Sequence, residues 1–320
     1  MKRFAIGVDL GGTNLRVAAV DDAGAPLDRL TLVTRSREPR ECVIREMCEA
    51  IQALRVKLAG AGQLAGIGVG VPGIIYMETG TLRHSPNLPG WENFPVRQEI
   101  EQLLGTRVWL DNDANLAALG EFRLGAGKGQ RSLCMVTLGT GVGGGLILDG
   151  KIWRGFLGFA GEVGHIVVSE NGARCACGGQ GCLESECSAS AIVRKAREAL
   201  TDNRSPALRR AAQQGRELTS ELVFESAQAG DAACQAILES AGRYLGIALA
   251  GLVNTLNLPI YVIGGGVAAA WDLFSPAMFE ELRRRSYVFC EGTTLVEKAL
   301  LQGDAGLYGA AFLALSGDTA

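Results

Sequence analysis

The stretch Glu162–Glu184 reads EVGHIVVSENGARCACGGQGCLE and sets Cys175, Cys177 and Cys182 in a C-x-C-x4-C array, with His165 ten residues upstream. Three thiolates and one imidazole are a complete tetrahedral donor set for zinc. Gly178, Gly179 and Gly181 let a short loop turn tightly enough to gather the sulfurs. Buried or disulfide-bonded cysteines are the plainer account, but cysteines so closely spaced beside a histidine favour a metal. A closed Cys3His set leaves no coordination position for water, so the expected zinc is structural rather than catalytic.

The flanks add chemistry. Glu162 lies three residues before His165, and Glu184 lies two after Cys182. A histidine that gives one ring nitrogen to a metal keeps the other for a second partner. Two carboxylates and an imidazole around one rigid loop make a polar pocket suited to a polyhydroxyl ligand. Either glutamate alone reads as a solvated surface residue.

Composition bounds the rest. A chain of 320 residues can hold two domains. With 48% hydrophobic and 20% charged residues and a mean hydropathy of +0.17, it reads as a soluble globular protein with large cores. Net charge −3, pI about 5.6 and the lack of a basic run argue against a nucleic-acid partner. Nine cysteines without a secretion signal point to a reducing, cytoplasmic compartment. Cys42, Cys48, Cys134, Cys187, Cys234 and Cys290 are scattered and read as ordinary thiols. No stretch is expected to reach the length and apolarity of a membrane span.

From the N-terminus, an apolar run at 3–9 is followed by DLGGTNLR and then VAAVDD, so a glycine turn joins two strands. A Walker A loop opens a helix and carries a lysine, and a Rossmann fingerprint also opens a helix, so neither fits. What remains is a hairpin whose glycines let backbone N–H groups face an anion. Asp9 ends the first strand, where its carboxylate could face a metal ion. Ile44, Met47, Ile51 and Leu54 mark a helix running to Leu58. GIGVGVPG at 66–73 is a buried strand ending in a turn, and 83–96 is loop-like. RVWL is a strand ending in DNDAN at 111–115, with a helix from about Ala114 to Leu124. Helix capping explains one of Asp111, Asn112 and Asp113 but not the cluster, and strand carboxyl ends are where open α/β sheets bind ligands.

The pattern repeats at SLCMVTL, GTGVGGG and LILDGKIW, a second glycine hairpin that suggests a duplicated α/β domain. Residues 188–256 read as largely helical, with a charged, weakly apolar middle around 201–219. IYVIGGGVA at 260–268 is a further strand ending in glycines, and a last helix runs from about Asp304 to Leu315.

These residues resemble the ROK sugar kinases of the actin-like ATPase superfamily, almost end to end. DLGGTNLR at 9–16 and TLGTGVGGG at 137–145 resemble the two phosphate motifs, VIGGGVA at 262–268 the adenosine motif, and LDNDAN at 110–115 the catalytic-base motif. EVGH and CACGGQGCLE resemble the sugar and zinc motifs and are the most specific of the set. The resemblance implies an α/β fold: two ribonuclease-H-like domains around a central cleft, with a zinc-binding loop at 165–182. The domains would be 1–118, joined by a C-terminal helix at 304–320, and 119–303.

It also implies roles. Asp113 would be the base, and Gly73, Asn87, Asn112, Asp113, Glu162, His165 and Glu184 would bind sugar. Asp9 would hold Mg2+ through water. Gly11, Gly12, Thr13 and Asn14 of the first motif, and Thr137, Gly139, Thr140 and Gly141 of the second, would meet the phosphates of ATP. Gly265 and Gly266 would let adenosine approach. His165, Cys175, Cys177 and Cys182 would hold structural zinc.

SPNLPGW followed by ENFPV resembles the glucokinase members most, so the expected reaction passes the γ-phosphate of ATP to the 6-hydroxyl of glucose. Family relatives act instead on N-acetylmannosamine, N-acetylglucosamine, fructose or allose. Others are sugar-sensing regulators with a helix-turn-helix domain ahead of the kinase-like region. The first hairpin begins within ten residues of the start, which is expected to leave no room for one. Family habit suggests a homodimer, with no nucleic-acid or membrane partner.

Overall fold

The computed structural model describes residues 2–85 and 87–317. The end of the expected 304–320 segment, residues 318–320, and Pro86 of SPNLPGW lie outside the described residues.

The first sheet starts with β1 (Arg3–Leu10), β2 (Asn14–Asp21) and β3 (Pro26–Val33), paired antiparallel in sequence order. Strand β4 (Gln63–Val71) joins β1 in parallel. After a small hairpin of β5 (Ile74–Tyr76) and β6 (Thr81–His84), β7 (Val108–Asn112) joins β4 in parallel, giving the order β3-β2-β1-β4-β7. Strand β1 is buried along nearly its whole length, as its unbroken apolar run requires of a central strand. The expected glycine hairpin is present: the Gly11 N–H closes it on the Asn14 carbonyl at 2.9 Å.

Helix α1 (Arg40–Lys57) buries Val43, Ile44, Met47, Ile51 and Leu54 against Ile6, Val8, Val17 and Val69 of this sheet. Helix α2 (Val96–Leu104) follows, and α3 (Asp113–Arg123) starts directly from the end of β7.

The second sheet has the order β10-β9-β8-β11-β12, built from β8 (Leu133–Leu138), β9 (Val142–Leu148), β10 (Lys151–Ile152), β11 (Ile260–Gly264) and β12 (Leu295–Lys298). The helical region expected after residue 188 resolves into α5 (Ala189–Thr201), α6 (Pro206–Gln213), α7 (Ser220–Gln228) and α8 (Ala232–Leu256), preceded by the short α4 (Leu183–Cys187). Helices α9 (Trp271–Arg285), α10 (Tyr287–Cys290) and α11 (Ala305–Ser316) complete the chain.

The expectation about membrane-length helices needs one correction. Helix α8 is long and apolar enough to cross a membrane by length and composition alone. Over half of its most apolar window is buried in the protein, and its apolar residues serve the core. At Gly242 and Gly246 it meets the backbone of α9, where a side chain would strike the carbonyls of Phe274 and Met278.

By compactness the chain forms two units: Met1–Met135 with Gly145–Gly161 and Leu300–Ala320, and Val136–Gly144 with Glu162–Ala299. The first unit reaches past the suggested break at 118. One cause is Glu121, a fully buried carboxylate on α3 that accepts the N–H groups of Ala126 (2.8 Å), Leu300 (3.2 Å) and Leu301 (2.7 Å). It binds the chain after α3 and the returning C-terminal segment to one helix. Helix α11 then lies on the sheet face opposite α1, with Leu307, Ala311 and Ala314 against Ala5, Ala18 and Val20. Gly68 lies under the Ala310 carbonyl, so a side chain there would push α11 off the sheet.

Candidate active site and metal centre

In the first unit the strand register sets the stage. Asp9 pairs with Gly70 and Gly70 with Asp111, so the two aspartates share one row across three strands. At about 4.8 Å per strand, Asp9 and Asp111 lie roughly 10 Å apart at the carboxyl end of the parallel strands.

The β7–α3 junction divides its tasks. Asn112 is the N-cap: its Oδ1 accepts the N–H groups of Ala114 (2.8 Å) and Asn115 (3.2 Å), and its Nδ2 donates to the Gly73 carbonyl (3.0 Å). Gly73 holds φ at +112°, a conformation that glycine adopts without strain. Asp111 is wholly buried. Its Oδ2 takes Nε (2.8 Å) and Nη2 (2.7 Å) of Arg154, and its Oδ1 takes Asn115 Nδ2 (3.0 Å). Asp113 is the first residue of α3, with Oδ1 2.9 Å from the Ala114 N–H.

Asp9 meets Arg16 at 3.4 Å, and Arg16 also donates to the Gly303 carbonyl. Burial raises the Asp9 pKa above the usual carboxylate range; Arg16 opposes the shift and the nearby Asp304 adds to it. Asp9 thus stands at the strand end with the Asp304 carboxylate near it, and carboxylate oxygens are the ligands that hard divalent cations take. Gly12 packs against the backbone of Asn87, which places the SPNLPGW loop beside the first glycine turn. Trp91 of that loop is fully buried edge-on to Phe94, so it anchors the loop.

In the second unit the ligand atoms of His165, Cys175, Cys177 and Cys182 all lie within 4.8 Å of one another. Cys177 Sγ to Cys182 Sγ is 3.7 Å, and Cys175 Sγ to His165 Nδ1 is 3.7 Å. A tetrahedron with metal–sulfur bonds of about 2.3 Å has edges of roughly 3.7 Å, so the donors fit zinc. Burial pushes the Cys182 thiol up to about 12 and raises Cys175, while the Gly179 N–H draws Cys177 down. A bound dication would supply the charge that stabilises all three as thiolates.

With Nδ1 toward the sulfurs, the Nε2 of His165 looks to Glu162, 3.9 Å away. Burial raises the Glu162 pKa; His165 opposes the shift and Glu184 adds to it. The Glu162 side chain is 48% exposed, so this push is partial. Glu184 joins two elements. Its Oε2 accepts the Val142 N–H at 3.0 Å, at the start of β9, and its Oε1 lies 3.8 Å from Cys175 Sγ. A Cβ at Gly141 would strike Oε2 of this carboxylate. Gly265, at φ +86°, lies against the backbone of Leu138. Gly266 lines a mainly apolar groove with Ile192, Phe224, Val267, Ser220 and Glu221.

The first unit brings Gly73, Asn112 and Asp113 together and sets Asn87 against Gly12, and the second brings His165, Cys175, Cys177 and Cys182 together beside Glu162 and Glu184. Sequence reading missed Arg154, the partner of Asp111, and Asp304, the second carboxylate near Asp9. The available signals were an arginine in an otherwise apolar loop and an aspartate opening the last helix.

The model of the ROK family matches residues 5–316. The chain belongs to the ROK family. A curated glucokinase from Halalkalibacterium halodurans is 37% identical over 316 residues, 97% of this chain and 94% of that protein. A ROK family glucokinase from Streptomyces griseus, solved in complex with glucose and AMPPNP, matches at TM-score 0.81 and 33% identity, over 98% of this chain and 99% of that one. A xylose repressor from Caldicellulosiruptor bescii is 31% identical over 97% of this chain and 78% of its own length. The fold is thus the actin-like ATPase fold that the motifs implied, and the enzyme class these relatives support is a hexokinase-type kinase.

Proposed function

We propose that this protein transfers the γ-phosphoryl group of ATP to the 6-hydroxyl of glucose, giving glucose 6-phosphate and ADP. The observation that carries the reading is the strand register that aligns Asp9 with Asp111, two residues before Asp113. It brings Asp9 and the β7–α3 junction that carries Asp113 to one end of one sheet. The full-length likeness to glucokinases favours glucose.

In this mechanism Asp113 accepts the hydrogen bond of the sugar hydroxyl and then its proton. The new bond forms between that oxygen and the γ-phosphorus. The bond to the bridging oxygen breaks, and ADP leaves with its electron pair. Asn112, Glu162, His165 and Glu184 orient the other hydroxyls, and Asn87 and Gly73 add further sugar contacts. Gly11, Gly12, Thr13 and Asn14, and Thr137, Gly139, Thr140 and Gly141, meet the phosphates. Gly265 and Gly266 let adenosine approach. Such chemistry asks the protein for position and charge neutralisation above all. Asp9 would hold magnesium through water, and the ion would neutralise phosphate charge.

The test is ADP release by coupled assay over a panel of hexoses and amino sugars. Glucose is expected to lead in kcat/KM by tenfold or more, only about 1.4 kcal/mol of transition-state binding. A lead for N-acetylmannosamine or fructose would refute glucose and leave the kinase. The repressor relative favours a second reading as a sugar sensor. Sugar binding without ADP release for any sugar would support that reading instead.

Metal content is a separate expected outcome. Elemental analysis of protein purified without chelator should give about one zinc per chain, held by His165, Cys175, Cys177 and Cys182. Zinc-free, folded protein would refute the metal assignment.

A further inference from the structure

The Gly139–Gly141 turn has every carbonyl tied down. The Gly141 carbonyl accepts the Gly139 N–H at 2.9 Å, closing the turn. The Gly139 carbonyl accepts the Ala189 N–H at 2.8 Å. The Thr140 carbonyl accepts the Ser190 hydroxyl at 2.8 Å. Ala189 and Ser190 are the first two residues of α5. A helix start has backbone donors without intrahelical acceptors, and here one of them is given to the turn. Among the described residues, the N–H groups of Thr140 and Gly141 make no hydrogen bond.

Trans peptide geometry links these facts. In each peptide plane the carbonyl and the next N–H point in opposite directions. Anchoring the Gly139 carbonyl on α5 turns the Thr140 N–H away from α5, and anchoring the Thr140 carbonyl does the same for the Gly141 N–H. Rotation of the 140–141 peptide plane would replace an N–H donor with a carbonyl oxygen, which repels an anion. Gly141 has no Cβ to resist that rotation, so the hydroxyl of Ser190 does what sterics cannot.

We infer that Ser190 is a positioning residue for the nucleotide: its hydroxyl, with the Ala189 N–H, fixes the two peptide planes whose N–H groups receive the phosphates of ATP. The inference rests on the kinase reading above, in which this turn meets phosphate. Ser190 itself touches no phosphate and acts through the backbone of Thr140.

The test compares wild type, Ser190→Ala and Ser190→Thr by calorimetry with two probes, AMPPNP with magnesium and adenosine alone. Ser190 is solvent-exposed at the helix start and alanine is a strong helix former, so the variant should fold. Loss of one such hydrogen bond is expected to weaken AMPPNP by about five- to tenfold. The KM for ATP should rise by the same factor. Adenosine affinity and the KM for sugar should stay within twofold, and threonine should restore most of the loss. AMPPNP affinity unchanged in Ser190→Ala, or equal losses for AMPPNP and adenosine, would overturn the inference. Wild type that binds no AMPPNP would strike the kinase reading itself, and this inference with it.

Discussion

Replacing Asp113 by asparagine is expected to lower kcat by roughly 100- to 10,000-fold, the range for loss of a general base. Asparagine keeps the shape and can still accept a hydrogen bond, but it cannot take a proton. Sugar affinity by calorimetry should change far less, because the other proposed sugar contacts, Glu162, His165 and Glu184, are untouched. The competing account is that Asp113 serves the start of α3. The N-cap of that helix is Asn112, whose Oδ1 already takes two of the first N–H groups. Asparagine is also tolerated at helix starts about as well as aspartate. A stable Asp113→Asn enzyme with unchanged turnover would therefore assign the residue to the helix and remove it from the chemistry.

Asp9→Asn should separate function from stability in the opposite sense. Folding raises the pKa of Asp9, chiefly through burial. A carboxylate raised in this way contributes stability below its unfolded pKa and loses it as pH rises through the folded value. Once the pH passes the folded value, the ionised group weighs against the fold, even with Arg16 beside it. Asparagine removes the charge and leaves an acceptor for Arg16. The variant should keep or raise its Tm at pH 7, with the gain shrinking in acid. Its kcat/KM should fall by about 100-fold or more, since a metal held at the phosphates contributes several kcal/mol. A fall in Tm of several degrees together with activity would make Asp9 a structural residue.

How much of this was legible in the sequence depended on distance along the chain. The metal donors, the two glycine turns and the DNDAN junction each lie within a short segment, and the structure gathers the residues of each segment as local chemistry suggests. Strand β3 went unread because it is an edge strand that buries almost nothing, so it lacks the alternation that marks a half-buried strand. Helix α8 went unread as membrane-length because its apolarity is broken by Arg243 and Tyr244, while its glycines serve a close helix crossing. The Arg154–Asp111 pair and the Ser190–Thr140 bond join residues 43 and 50 positions apart. No periodicity reports such a pair; only the fold brings it together. Asn112 shows the same limit, since nothing in its own segment could reveal that the Gly73 carbonyl, 39 positions away, would take its amide hydrogen.

The position of α11 bears on synthesis. Strands β1, β2 and β4 leave the ribosome more than two hundred residues ahead of the helix that covers Ala5, Ala18 and Val20. At roughly 5–20 residues per second, that face waits about 10–50 s for its cover. The other sheet face has no such delay, because α1 lies between β3 and β4 in the chain. The nascent protein thus carries a half-finished first unit throughout the synthesis of the second. The last turn of α11 to emerge completes the domain whose first strand was the earliest to appear.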